Sequence, residues 1–194
     1  MIRAFIAIEI DPVTANRIAA AIEQLKPRIA AIRWVGAGNF HLTLKFLGNI
    51  DERRIEPLGA ALADALRPFP RLTINAKGLG VFPSPKRPRV LWVGLVGSQL
   101  VSLQAKVESA LTPLGFAPEE KAFTPHLTIG RWRQGERADR TADRTLEQEL
   151  GKWSDYQFGA SPIDEVILFQ SDLKPAGAIY RRRKVVTLKH DPVP

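Results

Sequence analysis

The chain has 194 residues, 45% of them apolar and 25% charged, which fits one sizeable core or two small lobes and excludes both a disordered chain and a multi-domain assembly. It contains no cysteine, so a disulfide framework, a thiol nucleophile, a zinc knuckle and a cysteine-ligated iron–sulfur cluster are all ruled out. Its 28 Lys and Arg against 20 Asp and Glu give a formal charge of +8, a balance that suits phosphate-bearing partners.

Residues Ile2 to Ile8 alternate loosely and read as a first strand rather than a secretory signal, and no apolar run is long enough to cross a bilayer. This favours a cytoplasmic protein with no membrane partner. Asp11 and Pro12 supply an N-cap and a first helical position for a short amphipathic helix through Ile18, Ile22 and Leu25, ended by Pro27. Ile32 to Val35 is a brief strand, and Phe40 to Leu47 a stronger one closed by Gly48 and Asn49. Asp51 caps a second helix through Ile55, Leu58, Leu62 and Leu66, with Pro57 awkwardly inside it.

Arg71 to Ala76 and Val90 to Leu95 read as strands around a loop holding Gly78, Gly80, Pro83, Pro85 and Pro88. A third helix follows Ser98 along Leu100, Leu103, Val107, Leu111 and Leu114, with Gly115 at its exit. His126 to Ile129 is a short strand, Gln134 to Thr145 a polar connection, and Thr145 to Leu150 a fourth helix. Strands over Tyr156 to Gly159, Asp164 to Phe169 and Tyr180 to Leu188 complete the pattern before a loose tail from His190. Positive side chains gather at Lys86, Arg87 and Arg89, at Arg131 and Arg133, and from Arg181 to Lys184. Such runs serve either as solvated strand edges or as a phosphate-facing surface.

Only three histidines occur, and two of them sit in matching tripeptides 85 residues apart: His41-Leu42-Thr43 and His126-Leu127-Thr128. This is an architectural repeat suggesting two related lobes facing each other. On a strand His41 and Thr43 share one face while Leu42 and Leu44 take the other, and His126 with Thr128 repeats the arrangement. Two imidazoles and two hydroxyls around one cleft suit phosphoryl transfer. One imidazole accepts the nucleophile's proton while the other protonates the departing oxygen, and the hydroxyls hold the phosphoryl oxygens. Arg131 is the nearest candidate to offset charge, but on a regular strand it shares the parity of Ile129 and faces away from the cleft. Its use therefore requires a bend or bulge around Gly130. Two histidines without cysteines fall short of a zinc site, although Asp164 and Glu165 offer acid ligands. There is no P-loop around Gly78-Leu79-Gly80 and no serine-hydrolase elbow. Trp132 and Phe82 are aromatic candidates for a base contact.

The segments Phe5-Ile6-Ala7-Ile8, His41-Leu42-Thr43-Leu44-Lys45-Phe46-Leu47-Gly48, Phe82-Pro83 and Arg89-Val90-Leu91-Trp92 resemble the bacterial and archaeal RNA 2′,3′-cyclic phosphodiesterases, also called 2′-5′ RNA ligases, of the two-histidine phosphoesterase superfamily. Phe123 to Arg131, Val166 to Leu173 and Tyr180 extend the resemblance over nearly the whole chain. The resemblance implies an α+β fold: one bilobal catalytic domain over residues 1–194, with two pseudo-symmetric lobes whose antiparallel sheets flank a central cleft and whose helices lie outside. It implies hydrolysis of RNA 2′,3′-cyclic phosphate ends, tRNA fragments among them, to 2′-phosphomonoesters by a monomer with no cofactor and no metal, and possible 2′-5′ joining of RNA. By motif position it makes His41 and His126 the catalytic pair and Thr43, Thr128 and Arg131 phosphate contacts. His41 is assigned as proton donor and His126 as acceptor, and a swapped order would preserve every signal in the sequence. Gly130 departs from the alanine expected before Arg131. Other two-histidine substrates (a cyclic nucleotide, a 2′-5′ oligonucleotide, ADP-ribose 1″,2″-cyclic phosphate) and a noncatalytic RNA-binding module are the competing readings.

Overall fold

The computed structural model describes residues 1–29, 32–133, 140–174 and 177–189. Residues 134–139 of the polar connection and the tail from His190 lie outside the described residues. In chain order the elements are β1 (Ile2–Glu9), α1 (Pro12–Leu25), β2 (Ile32–Trp34), β3 (His41–Ile50), α2 (Ile55–Leu66), β4 (Leu72–Phe82), β5 (Val90–Val96), α3 (Leu100–Leu111), β6 (His126–Trp132), α4 (Arg140–Trp153), β7 (Gln157–Ile163), β8 (Glu165–Lys174) and β9 (Gly177–Thr187). They build two antiparallel sheets. Sheet A runs β3-β1-β8-β9 and sheet B runs β2-β6-β5-β4-β7, the two-lobed α+β arrangement expected.

The lobes do not follow the halves of the chain. β3 and β1 of sheet A come from the first half and β8 and β9 from the second, while in sheet B the first-half strands β2, β4 and β5 pair with β6 and β7 of the second. Two helices cross in opposite directions. α1, which leads from β1 of sheet A to β2 of sheet B, packs on β7, where Thr14 Oγ1 donates to the Ala160 carbonyl at 3.1 Å and the Asp11 amide donates to Ser161 Oγ at 3.1 Å. α3, which joins two strands of sheet B, packs on α2 and β3 of sheet A. α2 covers β9, and α4 lies on β4. The apolar sides of all four helices and both sheets merge into one core that includes Ile6, Ile18, Leu42, Leu62, Ile74, Val93, Leu103 and Leu127.

Several elements differ from the sequence reading. Gly78 and Gly80 do not end a strand: β4 continues through them to Phe82. Gly78 adopts φ 71° where the register with β5 slips by a residue, a left-handed step that glycine makes without Cβ strain. At Gly80 an added Cβ would fall 2.1 Å from the Trp92 ring, so this glycine makes room for the indole. Gly48 likewise sits at φ 68° beside a register shift, and β3 runs on to Ile50. Pro57 is tolerated because a 3-10 turn over Glu52–Arg54 delays the helix to Ile55. That places Pro57 in the first turn, where its missing N–H has no helical partner to lose. Finally, β8 and β9 form a hairpin longer than expected, reaching Lys174 and starting at Gly177.

Candidate active site

β3 is the outer strand of sheet A next to sheet B, and it lies against β6 where the two sheets meet. The two tripeptides therefore come from strands that face each other. In both strands the burial alternates as the period of two requires: Leu42, Leu44, Leu127 and Ile129 are buried, whereas His41, Thr43, His126 and Thr128 are half-buried on the opposite face.

Both imidazoles are fixed in the same way. His41 Nδ1 lies 2.8 Å from the carbonyl oxygen of Asn39, and His126 Nδ1 lies 2.7 Å from that of Thr124. A carbonyl only accepts, so Nδ1 carries the hydrogen in each ring and donates it, leaving Nε2 as the atom that gains or loses a proton. Each acceptor is two residues before its histidine, which places both rings in the same relation to their strands.

The walls are aromatic. His41 rests on Phe5 at 4.9 Å between ring centroids and meets Tyr180 edge-on at 4.9 Å, with Phe169 stacked beneath Phe5 at 5.3 Å. Phe5, Ala7, Ile167 and Phe169 form a small apolar bed of their own on the cleft side of sheet A. His126 meets Phe82 edge-on at 5.0 Å, and Phe82 packs on Trp92 at 5.1 Å. Burial therefore dominates the titration of both rings and pushes each pKa below the usual histidine value of 6.5. The bond to the Asn39 or Thr124 carbonyl partly opposes it, and the charge of Arg131 pushes both down further. His126 adds to the lowering at His41. One guanidinium is thus felt by both rings.

Arg131 reaches this position through the bulge its use requires. Leu91 pairs with Gly130 but the next residue, Trp92, pairs with Thr128, so Ile129 is an extra residue on β6. Parity inverts beyond it. An added Cβ at Gly130 would point to the core side, 2.6 Å from Ile32 Cγ2, and Arg131 returns to the face of His126 and Thr128. β3 has the same device: Ala7 pairs with Thr43 and Ile6 with Lys45, leaving Leu44 extra. The inverted parity turns Lys45 inward, where it is 3% exposed and bonds Glu108 of α3 at 2.5 Å and the Ala117 carbonyl at 2.8 Å.

Of the residues singled out from sequence, His41, Thr43, His126, Thr128 and Arg131 share this cleft, and Phe82 stands against His126. Trp132 faces the other way and packs on the core. Asp164 and Glu165 are tied to Arg71 and Arg182. Among the described residues no group of three His, Asp or Glu side chains converges to hold a metal ion. Sequence reasoning missed Tyr180, Phe169 and Phe5 as the bed of His41. It also missed a solvent-open pocket beside that ring, lined among others by Glu9, Asn39, Tyr180 and Arg182.

The LigT-like phosphoesterase family matches this chain twice, over residues 8–92 and 93–180. The chain is 32% identical over 188 residues to the RNA 2′,3′-cyclic phosphodiesterase of Methanothermobacter thermautotrophicus, spanning 96% of this chain and 99% of the relative. It is 32% identical over 186 residues to the same enzyme of Thermotoga maritima, spanning 92% and 91%. Among solved structures, a Thermus thermophilus protein shares the fold with a TM-score of 0.81 at 23% identity over 98% of this chain and 100% of that one. Escherichia coli LigT complexed with 3′-AMP shares it with a TM-score of 0.75 at 23% identity over 96% and 98%.

Proposed function

The chain belongs to the LigT-like phosphoesterase family, and we propose that it is an RNA 2′,3′-cyclic phosphodiesterase in which His41 and His126 exchange protons with the two sides of one phosphorus. The observation that carries this reading is the matched anchoring of the two rings, each donating Nδ1–H to the carbonyl two residues earlier and each feeling the same Arg131.

In the proposed step water attacks phosphorus in line with the bond to the ribose 3′-oxygen. The water proton passes to Nε2 of neutral His126, the P–O3′ bond breaks, and Nε2–H of protonated His41 delivers its proton to O3′. The product is a 2′-phosphomonoester, and the enzyme is left with the proton on His126 rather than His41, to be exchanged with solvent before the next turn. Thr43 and Thr128 hydroxyls donate to the non-bridging oxygens, and Arg131 offsets the charge that builds on them. The same attack by an RNA 5′-hydroxyl in place of water gives a 2′-5′ phosphodiester, the joining reaction. The whole chain acts as one bilobal catalytic unit, a cytoplasmic monomer in this reading, and needs no metal.

The test is an RNA ending in 2′,3′-cyclic phosphate, incubated with the purified protein and a chelator, with the position of the product phosphate determined. A 2′-phosphate formed in the presence of chelator is expected. No opening of the ring, a 3′-phosphate, or dependence on added divalent ion would overturn the proposal.

A further inference from the structure

Resting on the phosphodiesterase reading, we infer that Arg33 of β2 and Arg131 of β6 form a two-guanidinium clamp for a second phosphate of the substrate strand, one step upstream of the reacting cyclic phosphate. The two residues are directly opposite each other in the antiparallel register of β2 and β6, which puts their Cβ atoms about 5 Å apart on one face of the sheet. Their flanking pairs fix which face that is. Ile32 is buried, and Trp34 and Trp132 pack on the same core, so Arg33 points away from the core with Arg131, toward the side that carries His126 and Thr128. Both arginines are exposed.

Like charges directly opposite on a sheet repel unless an anion lies between them. Among the described residues no carboxylate lies within ion-pair distance of either guanidinium. The densest cationic run of the chain is matched. On β9, Arg181 pairs with Asp172 at 3.0 Å, Arg182 with Glu165, Arg183 with Glu52 at 2.5 Å and Lys184 with Glu56 at 2.6 Å. The longest basic run of the sequence is therefore internally neutralised, and the sheet A wall beside His41 also presents Glu9. Arg33 and Arg131 thus place unmatched positive charge on the β2–β6 side of sheet B, which gives the polyanionic strand a favourable exit from the cleft.

Arg131 bears on both imidazoles, whereas Arg33 is not among the charges that perturb either. This separates their tasks. Arg131 spans the reacting phosphate and the next one, and Arg33 serves only the next one. A mononucleoside cyclic phosphate has no group to place there, but an oligonucleotide does.

The experiment compares kcat/KM on cytidine 2′,3′-cyclic phosphate with kcat/KM on an RNA trinucleotide bearing the same end, for the wild type, Arg33→Ala and Arg33→Lys, across a salt series. The wild type is expected to favour the trinucleotide, and Arg33→Ala to reduce that preference about tenfold, mainly through KM. Its plot of log(kcat/KM) against log salt on the trinucleotide should flatten by about 0.7 in slope, one single-strand phosphate contact. Arg33→Lys keeps the slope and recovers part of the preference. Equal losses on both substrates, or an unchanged preference in Arg33→Ala, would overturn the clamp while leaving the phosphodiesterase reading intact. Failure of the wild type on both substrates would overturn that reading and the clamp with it.

Discussion

Replacing Glu108 by Leu removes the carboxylate bonded to a buried ammonium. Lys45 and Glu108 have side chains 2% and 10% exposed and meet at 2.5 Å, with Gln104 Nε2 donating to the second carboxylate oxygen at 3.0 Å and the Ala117 carbonyl accepting from Lys45. With Glu108 gone, the ammonium keeps one neutral acceptor and no route to water without moving β3. Breaking such a pair costs ~3–5 kcal/mol, far above an exposed ion pair at ~0–1 kcal/mol. For a chain of this size that lowers Tm by roughly 6–20 °C, at about 2–4 °C per kcal/mol. The double variant Lys45→Met/Glu108→Leu removes both charges at similar volume and should recover most of the loss, since an apolar replacement of a buried pair is often neutral. Urea unfolding followed by tryptophan fluorescence measures all four corners of the cycle. A Glu108→Leu loss below about 1 kcal/mol, or a double variant no more stable than the single one, would refute the reasoning.

Alanine at His41 or His126 should cut turnover of a cyclic phosphate by about 10²–10⁴-fold, the usual worth of a general acid or base, with far-UV circular dichroism unchanged; near-normal turnover in both removes the site. Because burial, then Arg131, pushes both imidazoles below their usual 6.5, the singly protonated pair is most populated below that pH. The kcat/KM profile is expected to be bell-shaped with its maximum on the acid side of 6.5, and to move upward in Arg131→Gln. A maximum above about pH 7 contradicts it. The same shifts mean that the folded protein binds fewer protons than the unfolded chain just below pH 6.5, so stability held above that pH declines as the rings are forced to protonate. Gly130→Ala places a methyl 2.6 Å from Ile32 Cγ2 and 3.5 Å from Trp34 Cε3, an overpacking worth about 1–3 kcal/mol; an unchanged thermal midpoint would show that β2 yields freely.

The histidine tripeptides were legible because they are local. Period-two alternation needs only a few adjacent residues, and it ordered Leu42, Thr43, Leu127 and Thr128 correctly. The same parity rule made Arg131 unusable without an irregularity near Gly130, and the extra Ile129 is that irregularity. Its twin at Leu44 left no comparable signal, since Lys45 reads from sequence as an ordinary exposed lysine and is instead buried against Glu108, 63 residues away. The bed of His41 draws Phe5 from β1 and Phe169 and Tyr180 from the β8–β9 hairpin at the other end of the chain, a convergence that no window of sequence contains. Charge was the least legible feature. Arg181 to Lys184 form the densest basic run, yet their neutralisation depends on acids in β8 and around α2 that only tertiary structure brings near.

Because α1 of the first half lies on β7 of the second, and α3 of the second half lies on α2 and β3 of the first, neither half of the chain closes a core by itself. Cutting this chain at Gly97, between β5 and α3, should accordingly give fragments that are aggregation-prone apart and regain folded structure when mixed.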